Sequence, residues 1–275
     1  VNLSNIHGSI PTQNVMKDEF GWEIPVEMVP VPSEGKVYPE GTSLHNRKTI
    51  KIKAMTAREE DILSSQALIK EGTVVSHLIE SCVLDKSINI KDMLLGDRNA
   101  LMVSIRITGY GAGYSANAAC PECASRNSYD FNLSELEIKP LDIEPVTPGE
   151  NVFSYTLPVT KKEVHFKFMT GGDEQDRTKT LERKRKAFPG IKIEDNVTSR
   201  LDQVILSIDG IADKNKISQF VRGMPALDSR NLRNYINDHE PGIDMSTWMK
   251  CLNCGETSSI SLPMGTNFFW PSLQR

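Results

Sequence analysis

Apolar and polar positions alternate along Thr49-Ile50-Lys51-Ile52-Lys53, the two-residue period of a half-buried strand. The period then changes. Thr56-Ala57-Arg58-Glu59 has the form of a capping box, in which the Thr56 hydroxyl serves the Glu59 amide and the Glu59 carboxylate reaches back to start a helix. Ile62, Leu63, Leu68 and Ile69 give that helix an apolar side, and Gly72 is its stop. A second helix is expected from Val74 to Val83. A third should begin near Asp97, carry Leu101, Met102, Ile105 and Arg106, reach Thr108 and close at Gly109. Upstream, Val29-Pro30-Val31-Pro32-Ser33 and Tyr38-Pro39-Glu40-Gly41 are punctuated by residues that fix or free the backbone and exclude long helices. Residues 1–48 therefore read as an extended arm, wrapping a neighbour or packing over its own domain.

Further along, Phe153-Ser154-Tyr155-Thr156-Leu157 and Val164-His165-Phe166-Lys167-Phe168 read as the arms of a hairpin turning through Thr160-Lys161-Lys162. Thr170 with Asp173 and Glu174 opens a long charged helix that ends before Pro189. Leu201, Val204, Ile205 and Ile208 are spaced for a helix over Val197 to Ile208, ended by Asp209-Gly210, and Phe220, Val221, Leu232, Tyr235 and Ile236 mark shorter helices.

Against this background four of the five cysteines form two identical pairs, Cys120-Pro121-Glu122-Cys123 and Cys251-Leu252-Asn253-Cys254. Two residues between cysteines let a tight turn aim both sulfurs at one ion, so each pair covers half of a tetrahedron. Strand-like flanks, Tyr114 to Ala118 and Ser128 to Leu133 around the first pair and Ser258 to Leu262 after the second, make each pair the cap of a β-hairpin. The reading is one structural zinc held by Cys120, Cys123, Cys251 and Cys254. A catalytic zinc keeps an open position, whereas four thiolates close the shell. Disulfides are disfavoured because nothing at the start of the sequence resembles a secretory signal. An iron–sulfur cluster would accept the same ligands and remains an alternative. The long stretch between the pairs, residues 124–250, must fold as an insert between the halves of a split zinc ribbon. Cys82, in an apolar run, is expected to be a buried hydrophobe without chemistry.

The predicted fold class is α+β, a helical body with β-hairpins joined by a split four-cysteine zinc ribbon. Its expected parts are the arm at 1–48; a strand plus three-helix unit at 49–110; the split ribbon at 111–135 and 245–275, with an aromatic tail; and a mixed hairpin and helical insert at 136–244. A chain of 275 residues has ample material for a core, so a metal would fix a join rather than rescue a small fold. The formal charge of −4 gives no encouragement to nucleic-acid binding. Arg177 to Lys186 is locally basic, but lacks interleaved aromatics and reads as a solvated helix face. No apolar run is long enough for a transmembrane helix. Gly109-Tyr110-Gly111-Ala112-Gly113 lacks the Lys-Ser/Thr of a phosphate loop, and the histidines have no ligand spacing, so no enzymatic function is expected.

Several segments, taken in order, resemble T4-like bacteriophage baseplate proteins of the hub-associated type: Met55-Thr56-Ala57-Arg58-Glu59-Glu60-Asp61-Ile62-Leu63, Leu95-Gly96-Asp97-Arg98-Asn99-Ala100-Leu101, the Gly109-Tyr110-Gly111 turn, the Cys-Pro-x-Cys knuckle, Met224-Pro225-Ala226-Leu227-Asp228-Ser229-Arg230, the second knuckle, and Phe268-Phe269-Trp270-Pro271. The resemblance spans about residues 30 to 271. It implies a structural component of a contractile-tail baseplate involved in tail assembly, residing in the virion, with other baseplate and tail proteins as partners and with no small-molecule substrate, nucleic acid or membrane. An assembly factor for the hub that leaves the finished particle is the alternative, and a zinc-ribbon nucleic-acid-binding protein is the alternative from another class. Ala124 stands where this pattern often has glycine after the knuckle, a departure that touches the turn and not the ligands. Candidate partner contacts are Asp228 and Arg230, with Asp228 equally able to cap a helix, and Phe268, Phe269 and Trp270, which either pack on the ribbon or anchor in a neighbour.

Overall fold

The computed structural model describes residues 15–17, 19–187, 196–262, 268 and 269. Three strands, β1 (Val15–Lys17), β2 (Glu23–Pro30) and β3 (Thr49–Lys53), make an antiparallel sheet in which Val29 lies opposite Ile50. Helices α1 (Ala57–Ser64), α2 (Gln66–Glu71) and α3 (Val74–Cys82) follow, and then the long α4 (Leu95–Tyr110). Eleven of its sixteen residues are buried, so α4 is enclosed on most sides and lies at the centre of the body. Strand β10 (Gly242–Asp244), paired with β6 (Glu137–Lys139), approaches α4 so closely that a Cβ at Gly96 would lie 1.6 Å from the Pro241 carbonyl oxygen. Only glycine fits there.

Hairpin β4 (Gly113–Ala119) and β5 (Arg126–Asn132) leaves the end of α4. The expected hairpin is present as β7 (Phe153–Thr156) and β8 (Glu163–Phe166), and it carries a buried aromatic cluster in which Phe153 stacks on Phe166 while Phe168 meets Phe166 edge-on. After α5 (Gly171–Ala187) come α6 (Val197–Val204), β9 (Ile205–Ile208), α7 (Lys214–Gly223) and α8 (Ala226–His239). A last hairpin, β11 (Ser246–Lys250) and β12 (Thr257–Ser261), carries the second cysteine pair. The chain is thus mixed α+β, with eight α-helices and several small sheets among the described residues.

Three expectations change, and one pair of alternatives is decided. Over its described length the segment before Thr49 packs over its own domain: Val29, Val31, Val37, Tyr38 and Leu44 are buried in the main core, because its prolines and glycines make turns that fold it back onto the body. Ser33 and Tyr38 fasten it there, since the Asp97 carboxylate accepts from the Ser33 amide at 2.9 Å, the Ser33 hydroxyl at 2.6 Å and the Tyr38 hydroxyl at 2.5 Å. The helix expected from Thr56 to Gly72 breaks at Ser65, which takes an extended conformation and caps α2 through its side chain. The third helix runs through Gly109 and ends at Gly111, where φ is +82°. The segment from Val197 to Ile208 divides, its last four residues forming β9 beside β8, because β-branched Ile205 and Ile208 suit a strand edge as well as a helix face. Cys82 is fully buried, as a hydrophobe would be, and burial pushes its thiol up to about 12.

Candidate metal centre

Two hairpins far apart in sequence meet through their cysteine turns. Cys120 follows β4 and Cys251 follows β11, and the two turns are built alike. The Cys120 amide donates to the Ser125 carbonyl at 2.9 Å and the Cys251 amide to the Glu256 carbonyl at 2.8 Å. Ala124 and Gly255 each return an amide to the first cysteine's carbonyl at 2.9 Å. Both turns need a left-handed residue, which Gly255 supplies at φ +77° and Ala124 at φ +58°. Ala124 therefore keeps the turn in the same form at some conformational cost.

The sulfurs face one another. Cys120 Sγ lies 3.8 Å from Cys254 Sγ, Cys123 Sγ lies 3.7 Å from Cys251 Sγ, and all four lie within 4.8 Å of one another. A tetrahedral zinc with thiolates at ~2.3 Å sets its sulfurs about 3.8 Å apart, a spacing that the Cys120–Cys254 and Cys123–Cys251 pairs match. These separations are far beyond a disulfide bond, and all four cysteines are free. The four side chains could hold a metal ion.

Neighbouring donors prepare the sulfurs for that charge. Ser125 Oγ lies 3.1 Å from Cys123 Sγ and 3.4 Å from Cys251 Sγ, and the Asn253 amide donates to Cys251 Sγ at 3.4 Å. The Cys254 amide, the Ser125 hydroxyl and the Asn253 amide lower Cys251 to about 5. The Glu256 amide pulls Cys254 down, but desolvation and the three nearby sulfurs outweigh it and push that thiol up to about 12. The neighbouring amides and the Ser125 hydroxyl thus favour a thiolate in the cluster, while the other sulfurs oppose a second charge beside it. The sequence offered Ser125 no special role; its signal was its place two residues after Cys123.

The other candidate residues lie elsewhere. Phe268 and Phe269 are buried, with Phe268 meeting Tyr114 edge-on at 5.4 Å. Arg106, itself buried in α4, ties this tail down by donating to the Phe268 carbonyl at 2.7 Å and to the carbonyls of Gly111 and Gly113 at 2.6 and 2.9 Å. Trp270 lies outside the described residues. Asp228 sits in the first turn of α8, but its carboxylate caps no amide of that helix. It accepts instead from the Val159 amide at 2.7 Å and from the Thr160 amide and hydroxyl at 3.0 and 2.9 Å, joining α8 to the β7–β8 turn. Arg230 is near it in the same helix turn and exposed. Of the described residues among these, none joins the cysteine cluster.

A family model described as T4 bacteriophage base plate protein matches residues 29–270. No curated protein and no solved structure matches the chain.

Proposed function

The chain belongs to the T4 bacteriophage base plate protein family, and from that premise we propose that it is a hub-associated structural subunit of a contractile-tail baseplate. The family supports a location in the phage tail, with other tail proteins as partners. Among the described residues no helix is long and apolar enough to cross a membrane. The family match carries the reading, and the chemistry of the cysteine site supports it.

In this reading Cys120, Cys123, Cys251 and Cys254 hold one structural zinc and the two hairpins form a split ribbon. The ion supplies a cross-link between segments 113–132 and 246–261, and with four thiolates its tetrahedron is complete, which suits a brace in a force-bearing assembly. Ser125 and Asn253 keep the sulfurs oriented and share their charge. We assign Arg230 to contact with a neighbour, because its side chain reaches the surface while Asp228, Phe268 and Phe269 are committed to their own chain.

Quantitative mass spectrometry of purified tails, with zinc measured on the isolated protein, tests both halves. An integral copy number relative to a baseplate ring protein and one zinc per chain are expected. Presence in infected cells but absence from particles would make it an assembly factor instead, and a metal-free native protein would sink the zinc.

A further inference from the structure

Helix α5 is fastened to the body through its first two turns, where Arg98 pairs with Glu174 at 3.1 Å, Lys167 with Asp173 at 2.6 Å, and Gln175 donates to Ser76 at 2.9 Å. Its outer half is different. Lys179, Arg183, Arg185 and Lys186 are exposed, and none of these side chains has an ion pair or hydrogen bond among the described residues. Lys179, Arg183 and Lys186 follow one another at intervals of four and three, so they share one face of the helix over ~10 Å. Like charges at that spacing repel. Leu181 is the helix's only large apolar residue, so burial does little to offset the repulsion.

The opposite condition holds on a second face. Strands β6 and β10 pair in a register that sets Glu137 directly opposite Asp244, and both are exposed. Like charges opposed across strands destabilise a sheet. Asp238, also exposed, lines with Asp244 an open cavity of about 590 Å3 beside this pair. Lys139 is the one cation in that lining, and its ammonium is committed to the Asn237 carbonyl at 2.6 Å. Glu137 and Asp238 have no side-chain partner among the described residues, and Asp244 accepts from the Ser246 amide at 2.8 Å.

One molecule thus carries a row of cations and a group of carboxylates, neither matched within its own chain. We propose that these two faces dock, the outer half of α5 in one copy lying on the β6–β10 face of a second copy of this chain. Lys179, Arg183 and Lys186 then meet Glu137, Asp238 and Asp244, and repulsion within each face gives way to attraction between them. The cavity beside Asp244 has room for the stem of a lysine or arginine with its charge at the carboxylates. Because every copy has both faces, the contact repeats around a ring or closes a pair. A nucleic acid would neutralise α5 but leave the carboxylates unanswered, and the chain's formal charge of −4 opposes it. An acidic partner of another kind would leave the same carboxylates exposed to one another. A second copy answers both faces with one contact.

The test is sedimentation velocity of the purified full chain. The wild type should self-associate at about 50 mM salt, with a dissociation constant at least roughly ten-fold higher at about 300 mM. Reversing the helix with Lys179→Glu, Arg183→Glu and Lys186→Glu, or the sheet face with Glu137→Lys and Asp238→Lys, should each leave a monomer with the far-ultraviolet dichroism of the wild type. Mixing the two reversed variants should restore association, because the acidic helix of one then fits the basic face of the other. That recovery separates lost docking from lost folding. A wild type that stays monomeric at low salt, association that survives either reversal, or a mixture that fails to associate would overturn the proposal. Binding of duplex DNA that the helix reversal abolishes while self-association persists would assign the helix to nucleic acid instead.

Discussion

The central helix and the two cysteine hairpins both hold together stretches of chain that are far apart in sequence, and they do so with different interactions. Around α4 one continuous hydrophobic cluster runs from Val29 to Phe269, and buried polar groups such as Asp97 and Arg106 are matched to specific partners. The cysteine region has a separate cluster of only Cys120, Met249 and Cys251, with a few half-buried neighbours, and Trp248 and Leu252 on its surface are largely exposed. Two-stranded hairpins with so little to bury are marginal in water. The body can therefore fold on its apolar surface, whereas the hairpins would gain most from a metal ion, which the four sulfurs could hold.

The largest expected effect follows from that contrast. Cys251→Ser, or removal of the proposed zinc by a chelator, should cost several kcal/mol within the hairpins, since structural zinc sites contribute roughly 10 kcal/mol or more to folding. Hydrogen exchange should show residues 113–132 and 246–261 losing protection while Val103 and Ile105 of α4 keep theirs. Equal loss in both regions would mean that the body also depends on the ion, and the comparison would collapse.

Arg106 sharpens the comparison, because it is where the body grips the chain on either side of the hairpins. Its guanidinium satisfies the carbonyls of Gly111, Gly113 and Phe268, and it lies 5.5 Å from the Tyr110 ring centre. Arg106→Met preserves apolar bulk but leaves those acceptors without a charged donor, a loss of about 3 kcal/mol. The melting temperature should fall by roughly 6–10 °C, and limited proteolysis should cut the tail near Phe268 before the body opens. A tail as resistant as in the wild type would show that the rings alone hold it.

A third prediction concerns the body alone and uses pH. Glu59 is desolvated, which raises its pKa, yet Lys53 at 2.7 Å, Ser81 at 2.5 Å and the Thr56 hydroxyl and amide at 2.6 and 2.8 Å outweigh this and lower it to about 2. A depressed carboxyl stabilises the folded chain above its unfolded value of 4.5, and that contribution fades as pH falls towards 2. It amounts to about 3 kcal/mol at neutral pH. The stability gap between wild type and Glu59→Gln, measured by denaturant titration, should therefore shrink by more than half from pH 7 to pH 3. Acid release of the metal affects both proteins and cancels in the difference. A gap independent of pH would show that the carboxylate's charge contributes nothing.

The same contrast explains what could be read from the sequence. The cysteine spacing and the Thr56–Glu59 capping box are short-range patterns, and both appear in the structure as local geometry. The hairpins around the cysteines and the β7–β8 pair were legible for the same reason, since strand alternation and turn residues lie next to each other in the chain. What escaped depends on partners remote in sequence. Asp97 looked like a helix start, but its partners Ser33 and Tyr38 lie some sixty positions away. Ile205 and Ile208 fitted a helical period until β8 offered an edge to pair with. Asp228 likewise resembled a cap until the β7–β8 turn came within reach.

The smallest effect isolates the backbone of the cysteine turns from their ligands. The two knuckles share a hydrogen-bond pattern and differ at one position, where Gly255 takes φ +77° without cost and Ala124 takes φ +58° against its Cβ. Ala124→Gly relieves that strain but frees the unfolded chain, and the two terms partly cancel. The net change should be a stabilisation of no more than about 1 kcal/mol, seen as slower exchange across residues 113–132 with zinc bound. The converse variant, Gly255→Ala, imposes the strain on the second hairpin, partly offset by a less free unfolded chain, so its exchange across 246–261 should quicken by a comparable amount. If both variants destabilise, the two turns are not equivalent, and the first knuckle depends on the alanine methyl group in a way its conformation does not reveal.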